Sequence, residues 1–268
     1  MTSSNIIRVL SLVDGKNRER EMDQMAHFHE IRYIFQMNFP QNIAPYEILG
    51  RGATSFGIFF CVSLPSENGA IPDKIWKKLH HKEQALARKL KGLKKISFVG
   101  GRLAAKHSLQ SIQKEHLPVE TDPFGAPTLP TPLSVSISHK RNIAIALLSR
   151  QEHVTVGIDI ENLQPERLSI ASRILTEREQ IFLNSLPPER QWGFLLINFS
   201  TKEAIFKALA PRLKRYIAFT EAEVFPTTHH SSDITLLLKN NSEFPREIKA
   251  QYTWSDKYVI TSVQALWD

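Results

Sequence analysis

The run Thr155-Val156-Gly157-Ile158-Asp159-Ile160-Glu161 places two carboxylates two residues apart in an alternating pattern. Successive side chains of a β-strand point to opposite faces. Val156, Ile158 and Ile160 then share a face suited to a core, and Gly157, Asp159 and Glu161 share the other. Like charges this close raise each other's proton affinity. A divalent cation would relieve the repulsion, and magnesium takes one or two carboxylates together with phosphate oxygens and water. The glycine beside them leaves room for a ligand. The same pattern also describes an ordinary strand with an acidic solvent face.

A second stretch, Phe199-Ser200-Thr201-Lys202-Glu203-Ala204-Ile205-Phe206-Lys207, has Ser200 followed three residues later by Glu203. That spacing predicts a capping box and a helix start. Glu203 and Lys207, four apart, share a helix face. In the bland reading Glu203 caps the helix and its pair with Lys207 adds only ~0.3–0.5 kcal/mol. In the functional reading Glu203 is a third metal ligand, and Lys207 and Lys202 neutralise phosphate.

These residues need elements to hold them. Phe56–Leu64 is an apolar run that reads as a buried strand. Asp73–Leu93 carries apolar residues at near-helical spacing with lysines between them. Gly100 and Gly101 punctuate the region, and a second helix is predicted from Arg102 to Gln113. Leu117–Pro132 contains five prolines and reads as loop. Ser134–Ser138, Ile143–Leu148 and Val154–Glu161 follow on short connections, which predicts an antiparallel meander. Helical patterns occupy Arg167–Asn184 and Thr201–Leu209, and strands return at Ile234–Leu238, Gln251–Trp254 and Tyr258–Ala265. Helices mixed with antiparallel strands make an α+β class.

Composition narrows the rest. The chain has 268 residues, 42% of them hydrophobic, which suffices for a sizeable core. Its one cysteine, Cys61, lies in an apolar run, reads as core, and fits a reducing compartment. The amino terminus lacks a signal-peptide core, and no apolar run approaches the ~20 residues of a membrane helix, so a cytoplasmic location is expected. Net charge is +7. Ile71–Glu115 holds 12 Lys and Arg against 3 Asp and Glu, so this one segment carries the whole basic excess. It is either a solvated helix face or a surface for an anionic ligand or acidic partner.

The strand Gly157-Ile158-Asp159-Ile160-Glu161 and the helix segment Phe199–Lys207, with 44 positions between Asp159 and Glu203, together resemble the paired signatures of the surfactin-type 4′-phosphopantetheinyl transferases. Ser136-Ile137-Ser138-His139, Lys94-Lys95 with Gly101-Arg102-Leu103-Ala104-Ala105-Lys106, and Lys207–Phe219 further resemble the branch of the enterobactin-synthetase-associated, component D-like transferase. Val135, Lys106 and Leu129 depart from that branch, which commonly has glycine, arginine and tryptophan there. Lysine cannot reproduce arginine's bidentate phosphate contact.

The resemblance implies two similar α+β halves packed as a pseudo-dimer, residues 1–150 with the basic coenzyme A-binding segment and 151–268 with the metal-binding motifs. It implies transfer of 4′-phosphopantetheine from coenzyme A to a serine of an apo acyl or peptidyl carrier protein, with release of adenosine 3′,5′-bisphosphate. Asp159, Glu161 and Glu203 would hold Mg2+, and Glu203, directly or through a metal-bound water, would take the serine proton. Lys207 would neutralise the pyrophosphate. Arg102, Lys106 and His139 would bind the 3′-phosphate, with Lys95, Ser138 and Lys202 as further coenzyme A contacts. The chain is expected to act as a monomer, near neither nucleic acid nor membrane.

Two other readings compete. A metal-dependent nuclease would want a lysine two residues after an acid, and Glu203 and Lys207 are four apart. A basic nucleic-acid binder would not need Asp159, Glu161 and Glu203 together. Gly50-Arg51-Gly52 through Gly57 only approaches a dinucleotide fingerprint. The histidine pairs His27/His29, His80/His81 and His229/His230 lack zinc spacing.

Overall fold

The computed structural model describes residues 7–8, 44–65, 70–227, 230–239 and 243–268. The first forty-three residues other than these two, with His27 and His29, and also His229, lie outside the described residues. The strands are β1 (Ile7–Arg8), β2 (Ile48–Thr54), β3 (Gly57–Ser63), β4 (Glu120–Thr121), β5 (Pro127–Thr128), β6 (Ser134–Lys140), β7 (Ile143–Ser149), β8 (Val154–Asn162), β9 (Ala222–Pro226), β10 (Ser231–Leu236), β11 (Glu247–Trp254) and β12 (Tyr258–Leu266). The helices are α1 (Asp73–Trp76), α2 (His81–Lys89), α3 (Gly92–Gln110), α4 (Ala171–Ile174), α5 (Glu177–Ser185) and α6 (Pro188–Leu213). The class is α+β.

Two antiparallel sheets organise the chain. One runs β2-β3-β7-β6 and carries α3 on one face; the other runs β1-β10-β11-β12-β8, with β9 also on β10, and carries α6. Strand alternation explains the layering. On β3 and β7, Val62, Ala144, Ala146 and Leu148 face α3, while Phe59, Cys61, Ile143, Ile145 and Leu147 face away. That second row packs against Val156, Ile158, Ile160 and Ile260 of the other sheet. The opposite faces of β11 and β12, with Ile248, Ala250, Val263 and Ala265, pack on α6. The order across the molecule is therefore helix, sheet, sheet, helix. The second sheet also takes β1 from the chain's beginning, so the two sheets do not divide the chain strictly in sequence.

Several expectations need correction. The meander is a hairpin only: β6 pairs with β7, but β8 leaves that sheet and pairs along its full length with β12. The helix expected over Asp73–Leu93 is broken twice. His80 starts a new helix, its Nδ1 accepting the Lys82 N–H at 3.3 Å while Glu83 accepts the His80 N–H at 2.9 Å. Gly100 and Gly101 do not punctuate; they lie inside α3. A Cβ on Gly100 would meet Leu64 Cδ2 at 2.1 Å, and one on Gly101 would meet Ile137 Cγ2 at 2.6 Å. Glycine there serves close packing of the helix on its sheet. The Arg167–Asn184 pattern resolves into a short 3-10 turn, α4 and α5.

Candidate active site

The largest correction falls on the second motif. Ser200 does not start a helix; it sits in the middle of the 26-residue α6. Buried completely, its hydroxyl donates instead to Asp159 Oδ2 at 3.0 Å. Mid-helix serine competes with the helix for hydrogen bonds unless it has another acceptor, and Asp159 supplies one. Helical spacing then brings Glu203, Ala204 and Lys207 to the same side, against β8.

Gly157 also has a different job from the one its spacing suggests. It makes room for α6 and not for a ligand: a Cβ would fall 1.8 Å from the Ala204 carbonyl oxygen. This close approach seats α6 directly on the acidic face of β8. Asp159 and Glu161 are both almost fully buried there. The Lys207 ammonium donates to Asp159 Oδ1 at 2.7 Å, Ser138 Oγ at 2.9 Å and the Ile158 carbonyl at 3.1 Å, which uses all three of its N–H groups. Contact with a phosphate would require it to exchange one of these.

The other wall comes from β6. Its alternating serines face β8 in a row: Ser134 Oγ accepts the Val156 N–H at 3.1 Å, Ser136 Oγ accepts the Ile158 N–H at 3.0 Å, and Ser138 Oγ donates to Asp159 Oδ1 at 2.9 Å. Two edge strands from different sheets are thus joined through side chains, which satisfies backbone donors that burial would otherwise orphan. Two residues further, Lys140 forms an ion pair with Glu161.

The electrostatics follow from burial. Desolvation holds the Glu161 and Glu203 carboxyls above the ordinary carboxylate range, and the nearby Asp159 charge pushes each in the same direction. Lys140 and Lys207 act against both shifts. His139 is held below its ordinary value by desolvation and then by the Lys207 and Lys140 charges, with Asp159 opposing. Its imidazole is neutral near neutrality.

The structure therefore brings together Ser138, Asp159, Glu161, Glu203 and Lys207; His139, one position on, lies on the α3-side face of β6 but within electrostatic reach of Lys207, Lys140 and Asp159. The structure leaves Lys202 out. That side chain points to the other side of α6, is 1% exposed, and donates to Glu179 at 2.5 Å and to the Ile174 carbonyl at 2.9 Å. Glu179 in turn accepts the Val224 N–H at 2.6 Å and the Thr176 N–H through its other interactions at the α5 cap. Lys202 thus ties α6 to α4, α5 and β9, away from the acidic cluster where a coenzyme A contact was expected.

Arg102, Lys106 and Lys95 lie on α3, apart from the acidic cluster. Arg102 is buried, its Nη2 donating to Thr121 Oγ1 at 2.7 Å and the Glu120 carbonyl at 3.3 Å, with the Phe98 ring 4.5 Å from its guanidinium carbon. Burial pulls its pKa down to about 10 against the opposing pull of Glu83. Its Nε is buried without a partner among the described residues. A guanidinium so placed, with a donor to spare, is suited to an anion. Lys106 rests on the Lys78 carbonyl and lines a cavity of about 300 Å³ with Lys78, His107 and Gln110. Lys95 is half-buried near the start of the helix.

Sequence reasoning missed the serine row and Lys140. The period-2 pattern Ser134-x-Ser136-x-Ser138-x-Lys140 was legible, but the strand it faces was not. Among the described residues, no three His, Cys, Asp or Glu side chains stand close enough to hold a metal ion as they are. The donor chemistry nevertheless suits magnesium: hard carboxylate oxygens, with Glu161 and Glu203 burdened by the Asp159 charge.

Comparisons with known proteins identify the family of this two-sheet α+β chain. The family model of the 4′-phosphopantetheinyl transferase superfamily matches residues 155–263, and that of the 4′-phosphopantetheinyl transferase N-terminal domain matches residues 82–149. Enterobactin synthase component D of Salmonella typhimurium is 30% identical over 198 residues, 72% of this chain and 80% of that one. The chain belongs to the 4′-phosphopantetheinyl transferase superfamily and is a transferase, with its likeness in the component D branch. It is also similar to the holo-[acyl-carrier-protein] synthase of Geobacillus kaustophilus, at 37% identity over 87 residues, 30% of this chain and 67% of that one. A 4′-phosphopantetheinyl transferase of Nocardia iowensis is 27% identical over 156 residues, 55% of this chain and 66% of that one. No helix among the described residues is long and apolar enough to cross a membrane.

Proposed function

We propose that this chain transfers 4′-phosphopantetheine from coenzyme A to a serine of an apo acyl or peptidyl carrier protein, in a magnesium-dependent reaction that releases adenosine 3′,5′-bisphosphate. The observation that carries the reading is the seating of Glu203 and Lys207 on α6 over Asp159 and Glu161 on β8, with Ser138 as the opposite wall.

Asp159, Glu161 and Glu203 are the residues that would hold magnesium, which when bound polarises a phosphoryl oxygen and stabilises the leaving phosphate. The protein's own part is positioning and charge neutralisation, on which phosphoryl transfer mainly depends. Glu203, with its proton affinity raised by burial, is the better base for the carrier serine. Lys207 supplies positive charge beside Asp159 for the pyrophosphate. His139, neutral when free, gains a proton against a 3′-phosphate, and the buried Arg102 with Lys106 and Lys95 serves the same end of the cofactor. The basic segment Ile71–Glu115 offers an acidic carrier a complementary surface, which speeds encounter. The chain acts as a cytoplasmic monomer.

Intact-protein mass spectrometry tests this. Incubation with several apo carriers, coenzyme A and magnesium should add one phosphopantetheine mass to a carrier, and chelator or Glu203→Gln should abolish it. No gain on any carrier, together with no coenzyme A binding by folded protein, would sink the reading.

A further inference from the structure

The polar row on β6 does not end at Ser138. Ser134, Ser136, Ser138 and Lys140 occupy every second position, and strand alternation aims all four at β8. Their contacts follow in order along β8: the Val156 and Ile158 N–H groups, then the Asp159 and Glu161 carboxylates. Lys140 is therefore delivered to Glu161 by the register between the two strands and is not a chance surface contact. The Glu161 side chain is 4% exposed and Lys140's 26%. A buried carboxylate is paired with an ammonium that keeps a way out to solvent. Lys207 stands in the same relation to Asp159, but from within α6 and with all three donors used.

We propose that Lys140 reserves the Glu161 carboxylate in the metal-free protein, so that a divalent cation reaches its place only by displacing the Lys140 ammonium. This rests on the metal reading of the acidic cluster given above. Glu161 is then never a bare buried charge: it exchanges one cation for another, which avoids leaving a buried ion unpaired. Lys140 is a positioning residue, and its effect is to weaken metal binding until the ammonium is released.

Manganese alone, a spin-active stand-in for magnesium, provides the test, with binding to the full chain followed by electron paramagnetic resonance. Lys140→Met should bind manganese about tenfold more tightly than the parent, the equilibrium equivalent of one charge-assisted hydrogen bond removed from the competing state. Arg141→Met removes the same charge from the neighbouring exposed residue and should change affinity by less than about twofold. Lys140→Gln, which keeps a hydrogen-bond donor for Glu161, should shift affinity in the same direction and serves if the methionine variant folds poorly. Equal affinity in the parent, Lys140→Met and Lys140→Gln, or equal tightening by Lys140→Met and Arg141→Met, would overturn the proposal while leaving the metal reading intact. No manganese binding by any of these proteins would overturn the metal reading and this proposal with it. The mass-spectrometric transfer assay distinguishes the two failures, because magnesium-dependent transfer with unshifted manganese affinity condemns Lys140 alone.

Discussion

Replacing Gly157 with alanine should damage stability and transfer together. The new Cβ would lie 1.8 Å from the Ala204 carbonyl oxygen, 2.8 Å from its carbon and 3.0 Å from the Ala208 nitrogen. All three atoms are α6 backbone, so no rotamer change relieves the clash. Ordinary contact begins at 3.4 Å, and strand and helix must therefore separate by about 1.5 Å. The 2.7 Å Lys207–Asp159 and 3.0 Å Ser200–Asp159 hydrogen bonds span that same gap and would stretch beyond hydrogen-bond range. Overpacking of a rigid core site costs ~1–3 kcal/mol, and loss of these bonds sets the expectation near the upper end. A displacement of about 1 Å in a catalytic group lowers rate by about 100-fold, which is the expected fall in kcat/KM. Urea unfolding and carrier modification by mass spectrometry measure the two effects. Gly193→Ala is the control: it lies in the same helix with nothing within 4 Å of its Cβ, and should stabilise by up to ~1 kcal/mol through helix propensity. If Gly157→Ala unfolded like the parent, α6 would not be seated on β8 through the missing side chain. If it lost stability but kept full specific activity, the spacing of Glu203 and Lys207 from Asp159 would not matter to transfer.

Three further outcomes are expected. Lys202→Met should destabilise by ~3–5 kcal/mol because it leaves Glu179 charged and buried without its partner, and calorimetry on the folded fraction should find coenzyme A affinity unchanged; a large loss of affinity would restore Lys202 to the binding site. Glu203→Gln should abolish transfer yet raise thermal stability above neutral pH. The folded carboxyl binds protons more tightly than the unfolded one, so its contribution is full below the unfolded value and is lost as pH rises through the raised folded value; the amide escapes that loss, and the gain should vanish below about pH 4. Coenzyme A binding near neutrality should take up a proton at His139, because the free imidazole is held neutral and a phosphate favours its cation; calorimetry in buffers of different ionisation enthalpy reads the uptake, which His139→Asn should remove.

Sequence alone determined the relations that strand and helix periodicity carry. Alternation placed Asp159 and Glu161 on one face of β8, and four-residue spacing placed Glu203 with Lys207 on one face of α6. Apolar patterning located β3, β7, β8 and β12 to within a residue or two. Which element lies against each face was not local information. The Ser138–Asp159 contact spans 21 positions, Ser200–Asp159 spans 41 and Lys207–Asp159 spans 48. Only the tertiary structure decided that β8 abandons β7 for β12, that Ser200 bonds Asp159 where it was expected to cap a helix, and that Gly157 admits α6. It likewise turned Lys202 inward to Glu179 and brought Lys140 to Glu161. A side chain's type limits the partners it can accept, but burial and hydrogen bonding select among them, and those are settled only when the sheets and helices have packed.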